Sequence, residues 1–250
     1  MPALNAGRFI APAIRSLLAE RNAVDLDILV VDDGSTDDTK DIVTSIAGQF
    51  PEVRLLQNPR SGIAAARNTG IENIRQGSQF VAFLDADDLS YPGRIGRQRS
   101  LLVNDPAVDV LYGLVEMFTH ANEADTAPAP GSKTKILRGP YLQSAMYRPS
   151  AIERVGRFDE SFRQGCDTDF VLRVVELGLN LVLDNGIAAY YRRHDSNVTL
   201  NVEEMQREFM LASLKWAVRN RMKGKPSLSG VFSELFLRRD EIEKDSSNDL

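Results

Sequence analysis

Two rhythms of apolar and polar positions alternate along the first half of the chain. Short, mainly apolar runs occupy residues 26–31, 53–56, 80–84 and 108–112, each the length of a buried strand. Between them, apolar side chains recur at helical spacing. Phe9, Ile10, Ile14, Leu17 and Leu18 do so within residues 7–20, and residues 36–50, 61–76 and 92–104 read as three further helices. Ser35 is placed to cap the second helix, and Gly77 to end the third. The alternation predicts an α/β fold: a doubly wound, mainly parallel sheet flanked by helices.

The rhythm breaks over residues 119–139, where Pro128, Pro130 and Gly131 punctuate a stretch poor in apolar side chains. A surface loop or distorted hairpin is expected there. Beyond it the pattern predicts a short helix over 150–155, a longer one over 167–177 ended by Gly178, and a strand over 187–192. After Asn201, a helix of about twenty residues carries Met205, Phe209, Leu211, Ala212, Leu214 and Trp216. The charged residues 238–250 read as a frayed tail. The expected organisation is one domain over 1–200, with halves near 1–115 and 116–200, followed by a helical C-terminal extension over 201–250.

Charge and cysteine use narrow the function classes. A net charge of -5 leaves no basic footprint for nucleic acid. The single Cys166 excludes a disulfide framework within the chain and fits a reducing compartment. No run of about 18 uncharged apolar residues suggests a membrane span, and the opening residues lack a signal-peptide pattern. A cytoplasmic location follows, with at most peripheral membrane association.

The chemistry concentrates in two aspartate clusters, each directly after an apolar run: Asp32-Asp33-Gly34-Ser35-Thr36-Asp37-Asp38 and Asp85-Ala86-Asp87-Asp88. Open α/β sheets bind ligands at the carboxyl ends of their strands. Carboxylate pairs at two such ends suggest a divalent cation holding a diphosphate, since hard cations take oxygen ligands. Alternation along a strand end turns Asp85 and Asp87 to the same side.

Four motifs in order resemble the GT-A glycosyltransferases of family 2, over roughly residues 1–200. They are Val31-Asp32-Asp33-Gly34-Ser35-Thr36-Asp37, Ala66-Arg67-Asn68-Thr69-Gly70, Leu84-Asp85-Ala86-Asp87-Asp88, and Phe158-Asp159-Glu160 leading to Asp167-Thr168-Asp169. The resemblance implies a metal-dependent, inverting transferase that moves a sugar from a nucleotide donor, expected to be UDP-linked, to a saccharide, lipid-linked or other hydroxyl acceptor. It implies that Asp87 is the ligand of Mn2+ or Mg2+, that Asp85 faces the ribose, and that Asp33 accepts a hydrogen bond from the base. Arg67 would meet phosphate or base, unless it pairs with an aspartate of its own chain. Pro2 and Leu4 would lie against the base. Asp167 would be the general base, with Asp169 as the alternative, and His194 would approach the diphosphate or metal, unless its role is structural. Cys166 stands where the family carries an acid; it is not expected to be a nucleophile, because no base lies near it in sequence.

One departure stands out. The family opens with a strand of about five apolar residues before Pro-x-x-Asn, whereas this chain begins Met1-Pro2-Ala3-Leu4-Asn5. The strand is expected to be missing, through a truncated or misassigned N-terminus. Five buried apolar side chains contribute roughly 8–15 kcal/mol, as much as the whole margin of a typical domain. The alternative function is therefore a catalytically weak relic that binds nucleotide or carbohydrate. A sugar-phosphate nucleotidyltransferase is excluded, since no early glycine-rich loop with Arg and Lys is present.

Overall fold

The computed structural model describes residues 1–220 apart from 123, 196, 198 and 199; the tail expected over 238–250 lies outside them. Strand β2 (Ile28–Asp32) is the first buried apolar run, and it lies between β1 (Pro2–Ala3) and β3 (Val53–Gln57) in a three-stranded parallel sheet. Helices α1 (Gly7–Leu18), α2 (Thr39–Ala47) and α3 (Ile63–Glu72) connect and cover these strands. On α1 the buried side chains are Phe9, Ile10, Ala13, Ile14 and Leu18, one face at helical spacing. Ile10 and Ile14 join Val30, Val43 and Val53 in a continuous apolar core.

A second, six-stranded sheet is mixed in direction. Its order is β4 (Val81–Ala82), β8 (Ala145–Tyr147), β6 (Val110–Phe118), β9 (Leu181–Arg192) and β5 (Leu89–Ser90), with β7 (Thr134–Leu137) paired to β6. The β6–β9 pair is parallel; the β4–β8, β6–β8, β5–β9 and β6–β7 pairs are antiparallel. The hairpin expected in 119–139 is thus real, and β7 is its returning strand. At Gly113 a Cβ would lie 2.7 Å from the Ala188 Cβ and 2.8 Å from the Gly186 carbonyl oxygen, so the irregular β6–β9 register there requires glycine. Helices α4 (Arg94–Asn104), α5 (Pro149–Val155), α6 (Cys166–Glu176) and α7 (Val202–Asn220) complete the fold. Phe83, Tyr147, Phe158, Phe170 and Trp216 share the larger core, which ties α6 and α7 to this sheet.

Four expectations need correction. The first strand is reduced rather than absent: Pro2 and Ala3 pair with Val31 and Asp32, and the Met1 amine donates to the Leu29 carbonyl at 2.8 Å. Among the described residues no strand pairs with both β2 and β4; the strands form two sheets, and the run at 80–84 keeps only two residues as strand. Ser35 does not cap α2. Its Oγ accepts the Asn5 N–H at 2.9 Å, because the loop closes onto the end of β1, and Asp38 holds the cap position. Gly77 does not end α3. That helix stops at Glu72, with Asn73 at its cap, and Gly77 takes φ +86° in the turn beyond.

Candidate active site

The site is built at the strand ends. Asp32, the last residue of β2, is buried, and its carboxylate accepts the Gly34 and Ser35 N–H groups at 3.1 and 3.2 Å. Burial alone would raise its pKa; these bonds and Lys40 at 3.5 Å outweigh it and hold the group below the ordinary range. Asp33 accepts from Asn58 Nδ2 at 2.6 Å and from the Gly62 N–H at 2.9 Å. Gly62, at φ +103°, precedes α3, so Asp33 is tied to the start of the helix that carries Arg67. Pro2 lies in β1, and Leu4 just beyond it is 56% exposed beside this loop.

Arg67 is the hub. The small side chains Ala64, Ala65 and Ala66 bury this turn of α3, and Arg67 itself is only 5% exposed. Its Nη2 donates to Asp85 Oδ1 at 3.0 Å and its Nη1 to the Cys166 sulfur at 3.2 Å, with the guanidinium over the Phe158 ring. The pair with an aspartate of its own chain, one of the two readings of this residue, is present. Desolvation opposes the charge, but the Asp85 carboxylate first, with Asp167, prevails and raises its pKa.

Two residues beyond Asp85, Asp87 Oδ2 lies 3.0 Å from His194 Nε2 and 3.3 Å from Asn197 Nδ2. Burial first, and then the neighbouring Asp85, raise the Asp87 pKa against the pull of His194. The His194 ring stacks on Phe9 with centroids 4.5 Å apart, which fixes the imidazole on α1. Asp88 turns inward instead and accepts the Arg192 N–H at 2.9 Å.

Asp167 lies in the first turn of α6, where its Oδ1 accepts the Thr168 N–H at 2.8 Å. Burial raises its pKa, with Arg67 opposing. Beside it, burial pushes the Cys166 thiol up to about 11, so the sulfur is a neutral partner of Arg67 rather than a nucleophile. Asp169 turns away, buried between Arg173 at 2.9 Å and Arg219 at 3.1 Å.

Printed contacts join Arg67 to Asp85 and His194 to Asp87, Asp167 lies beside Cys166, the Arg67 partner, and Asp33 is tied to the start of α3. Residues that sequence reasoning missed complete the site: Asn197 on Asp87, Phe9 under His194, and Asn58 on Asp33. Asn197 and Asn58 sit in no motif. Phe9 was read as core, and its amphipathic spacing gave no sign of the ring stacked on it.

The chemistry of the donor set fits a divalent ion. Asp85 and Asp87 offer hard oxygens, and the raised pKa of Asp87 marks a desolvated carboxylate that lacks full compensation. Among the described residues, no cluster of three or more His, Cys, Asp and Glu is arranged to hold a metal. Mg2+ and Mn2+ are commonly held by one or two carboxylates, with the remaining ligands from substrate phosphates and water.

The family model described as Glycosyl transferase family 2 matches residues 1–158. The chain belongs to this family. It is 29% identical over 207 residues to an uncharacterised glycosyltransferase of Nostoc sp., covering 77% of this chain and 63% of that protein. It is 30% identical over 216 residues to the succinoglycan biosynthesis protein ExoU of Rhizobium meliloti, covering 76% and 60% respectively. The chain therefore spans less than two thirds of the length of both relatives. Among solved structures, S. aureus TarS 1-349 in complex with UDP-GlcNAc superimposes with a TM-score of 0.67 at 19% identity, over 90% of this chain and 66% of that one. The mannosyltransferase PcManGT of Pyrobaculum calidifontis, in complex with GDP-Man and Mn2+, also gives 0.67, at 18% identity over 90% and 64%. The fold of this glycosyltransferase chain is GT-A.

Proposed function

We propose that this domain transfers a sugar from a nucleotide-diphosphate donor to a hydroxyl acceptor, with inversion and with Mn2+ or Mg2+ held by Asp87. The observation that carries the proposal is the half-buried Asp85–Asp87 pair, secured by Arg67 on one side and by His194 on the other. An ion bound there supplies Lewis acidity for the departing diphosphate. The protein's own residues do the rest. Asp33, just beyond the end of β2, is the acceptor for a base N–H, with Pro2 and Leu4 against the ring. Asp85 faces the ribose, and the fixed charge of Arg67 offsets the carboxylates that ring the phosphates. His194, immobilised on Phe9, orients Asp87 and stands near the diphosphate.

Asp167 takes the proton of the acceptor hydroxyl as that oxygen attacks the anomeric carbon. Its raised pKa increases its proton affinity, as a base working near neutral pH requires. The acceptor is a saccharide, lipid-linked or other hydroxyl. GT-A neighbours with UDP-GlcNAc and with GDP-Man support a nucleotide-sugar donor. Cys166, standing where the family carries an acid, favours a second reading, a nucleotide-binding relic without turnover. Release of UDP from a UDP-sugar panel, with and without Mn2+, separates them: metal-dependent turnover supports transfer, and UDP binding without turnover supports the relic.

A further inference from the structure

Helix α7 has two apolar faces, and the core covers one of them. Ala212 and Trp216, with Glu208 and Asn220, form a buried row at four-residue intervals, and the first two belong to the larger core. Met210, Leu211, Leu214, Ala217 and Val218 form a second row. At 3.6 residues per turn it stands on the opposite side of the helix. Met210, Leu211, Leu214 and Val218 are 39–73% exposed, and Ala217 is exposed as well. Single exposed apolar side chains are ordinary, but a contiguous row of them at helical spacing marks a surface that another phase or molecule covers.

Charge along the same segment is one-sided. Residues 209–233 carry Lys215, Arg219, Arg221, Lys223 and Lys225 and no Asp or Glu, in a chain of net charge -5. The acids of α7, Glu203, Glu204 and Glu208, all lie in its first half. Within the helix, Lys215 is held by Asp159 at 2.6 Å, and Arg219 by Glu176 at 2.8 Å and Asp169 at 3.1 Å. The next three basic residues, Arg221, Lys223 and Lys225, follow α7 directly in the chain.

An apolar row that runs into a basic segment is the composition of a helix lying in the plane of a bilayer interface. Anionic headgroups attract the basic side chains, and the apolar ones enter the acyl boundary. A protein partner fits this surface less well. The row spans nine residues, about 13 Å of helix, which is short for the ~800 Å² that each partner of a stable protein interface buries.

We propose that the outer face of α7 docks the domain on an anionic lipid surface. Met210, Leu211, Leu214 and Val218 enter the interface, and Arg221, Lys223 and Lys225 meet the headgroup phosphates. The helix lies along the bilayer and does not cross it. The inference stands apart from the catalytic reading, since none of these residues belongs to the carboxylate site.

The test is flotation of the full chain with vesicles, either phosphatidylglycerol and phosphatidylcholine in equal parts or phosphatidylcholine alone. The native chain should float with the anionic vesicles, release from them as salt is raised, and stay behind with phosphatidylcholine. Leu214→Gln and Val218→Gln, both at exposed positions, should each weaken binding about tenfold at an unchanged Tm, the loss of one inserted apolar side chain. Replacing Arg221, Lys223 and Lys225 together by Gln should abolish it. No flotation with anionic vesicles, equal flotation with both lipids, or native-like flotation of the apolar variants or of the charge variant would each overturn the proposal. So would a dimer of the native chain that Leu214→Gln separates into monomers.

Discussion

At the residue scale, the account turns on how burial sets the charge of a few side chains. In the proposed mechanism ionised Asp167 is the active form of the base, and turnover is then expected to rise with pH through its folded pKa. Burial raises that pKa, so the acid limb of log kcat against pH lies above the ordinary aspartate range of about 3.9. Asp167→Asn should lower kcat by about 10²–10⁴ and abolish the limb, while UDP affinity stays within a factor of two. The stability effect has the opposite sign. A carboxyl whose folded pKa is raised loses stability as pH climbs from its unfolded value to its folded one, so Asp167→Asn should match or exceed the native Tm at neutral pH. A kinetic pH profile and a melting curve of the same variant check both. Near-native turnover would move the base role elsewhere. Arg67→Met should cost stability near the low end of about 3–5 kcal/mol, because Asp85, whose side chain is 30% exposed, keeps some water when its partner goes. Urea unfolding measures that loss.

At the element scale, α7 supports the helix that carries Asp167. Glu208 on α7, 3% exposed, accepts the N–H groups of Arg163, Gln164 and Gly165 at 2.9, 2.6 and 2.6 Å, the three residues leading into α6. Burial would raise its pKa; the three donors outweigh burial and lower it. Its stabilisation is therefore full above the unfolded pKa and is lost as pH falls through the lower folded one. Glu208→Ala should cost roughly 1–3 kcal/mol by orphaning buried donors, and should lower kcat more than donor affinity. Glu208→Gln, which keeps an acceptor, should recover part of both. Chemical denaturation and steady-state kinetics check this, and an unchanged kcat would detach α7 from the base.

The elements themselves were largely readable in the residues. The apolar runs at 26–31 and 53–56 are strands, and helical periodicity located α1, α4, α6 and α7. The errors share a cause. Ser35 met the expectations for a cap locally, yet its hydroxyl was taken by Asn5, 30 positions earlier in the chain. The run at 80–84 has the composition of a strand but only one strand neighbour, so two residues pair. Periodicity reports which face is buried, not which partner lies opposite, and it was equally silent about Glu208 and Asn197.

At the scale of the whole molecule, two sheets meet around α3. The parallel sheet presents Asp33 at a strand end, while the mixed sheet and its helices bring Asp87, His194 and Asp167. Arg67 bridges them by bonding Asp85 and Cys166, residues 18 and 99 positions away in the chain. The motifs were legible because each sits at a strand end or a helix start, where ligand chemistry recurs. Their convergence on one guanidinium was not, because it depends on packing between distant segments. Among the described residues, no helix is long and apolar enough to cross a membrane.

The central claim is that Asp87 makes nucleotide binding depend on a divalent ion, and calorimetric titration of UDP with and without Mn2+ tests it most directly. The account predicts that Mn2+ tightens UDP binding at least tenfold, about 1.4 kcal/mol, in the native chain, and not at all in Asp87→Ala at an unchanged Tm. Equal UDP affinity with and without Mn2+ in the native chain, or an undiminished Mn2+ effect in Asp87→Ala, would contradict it.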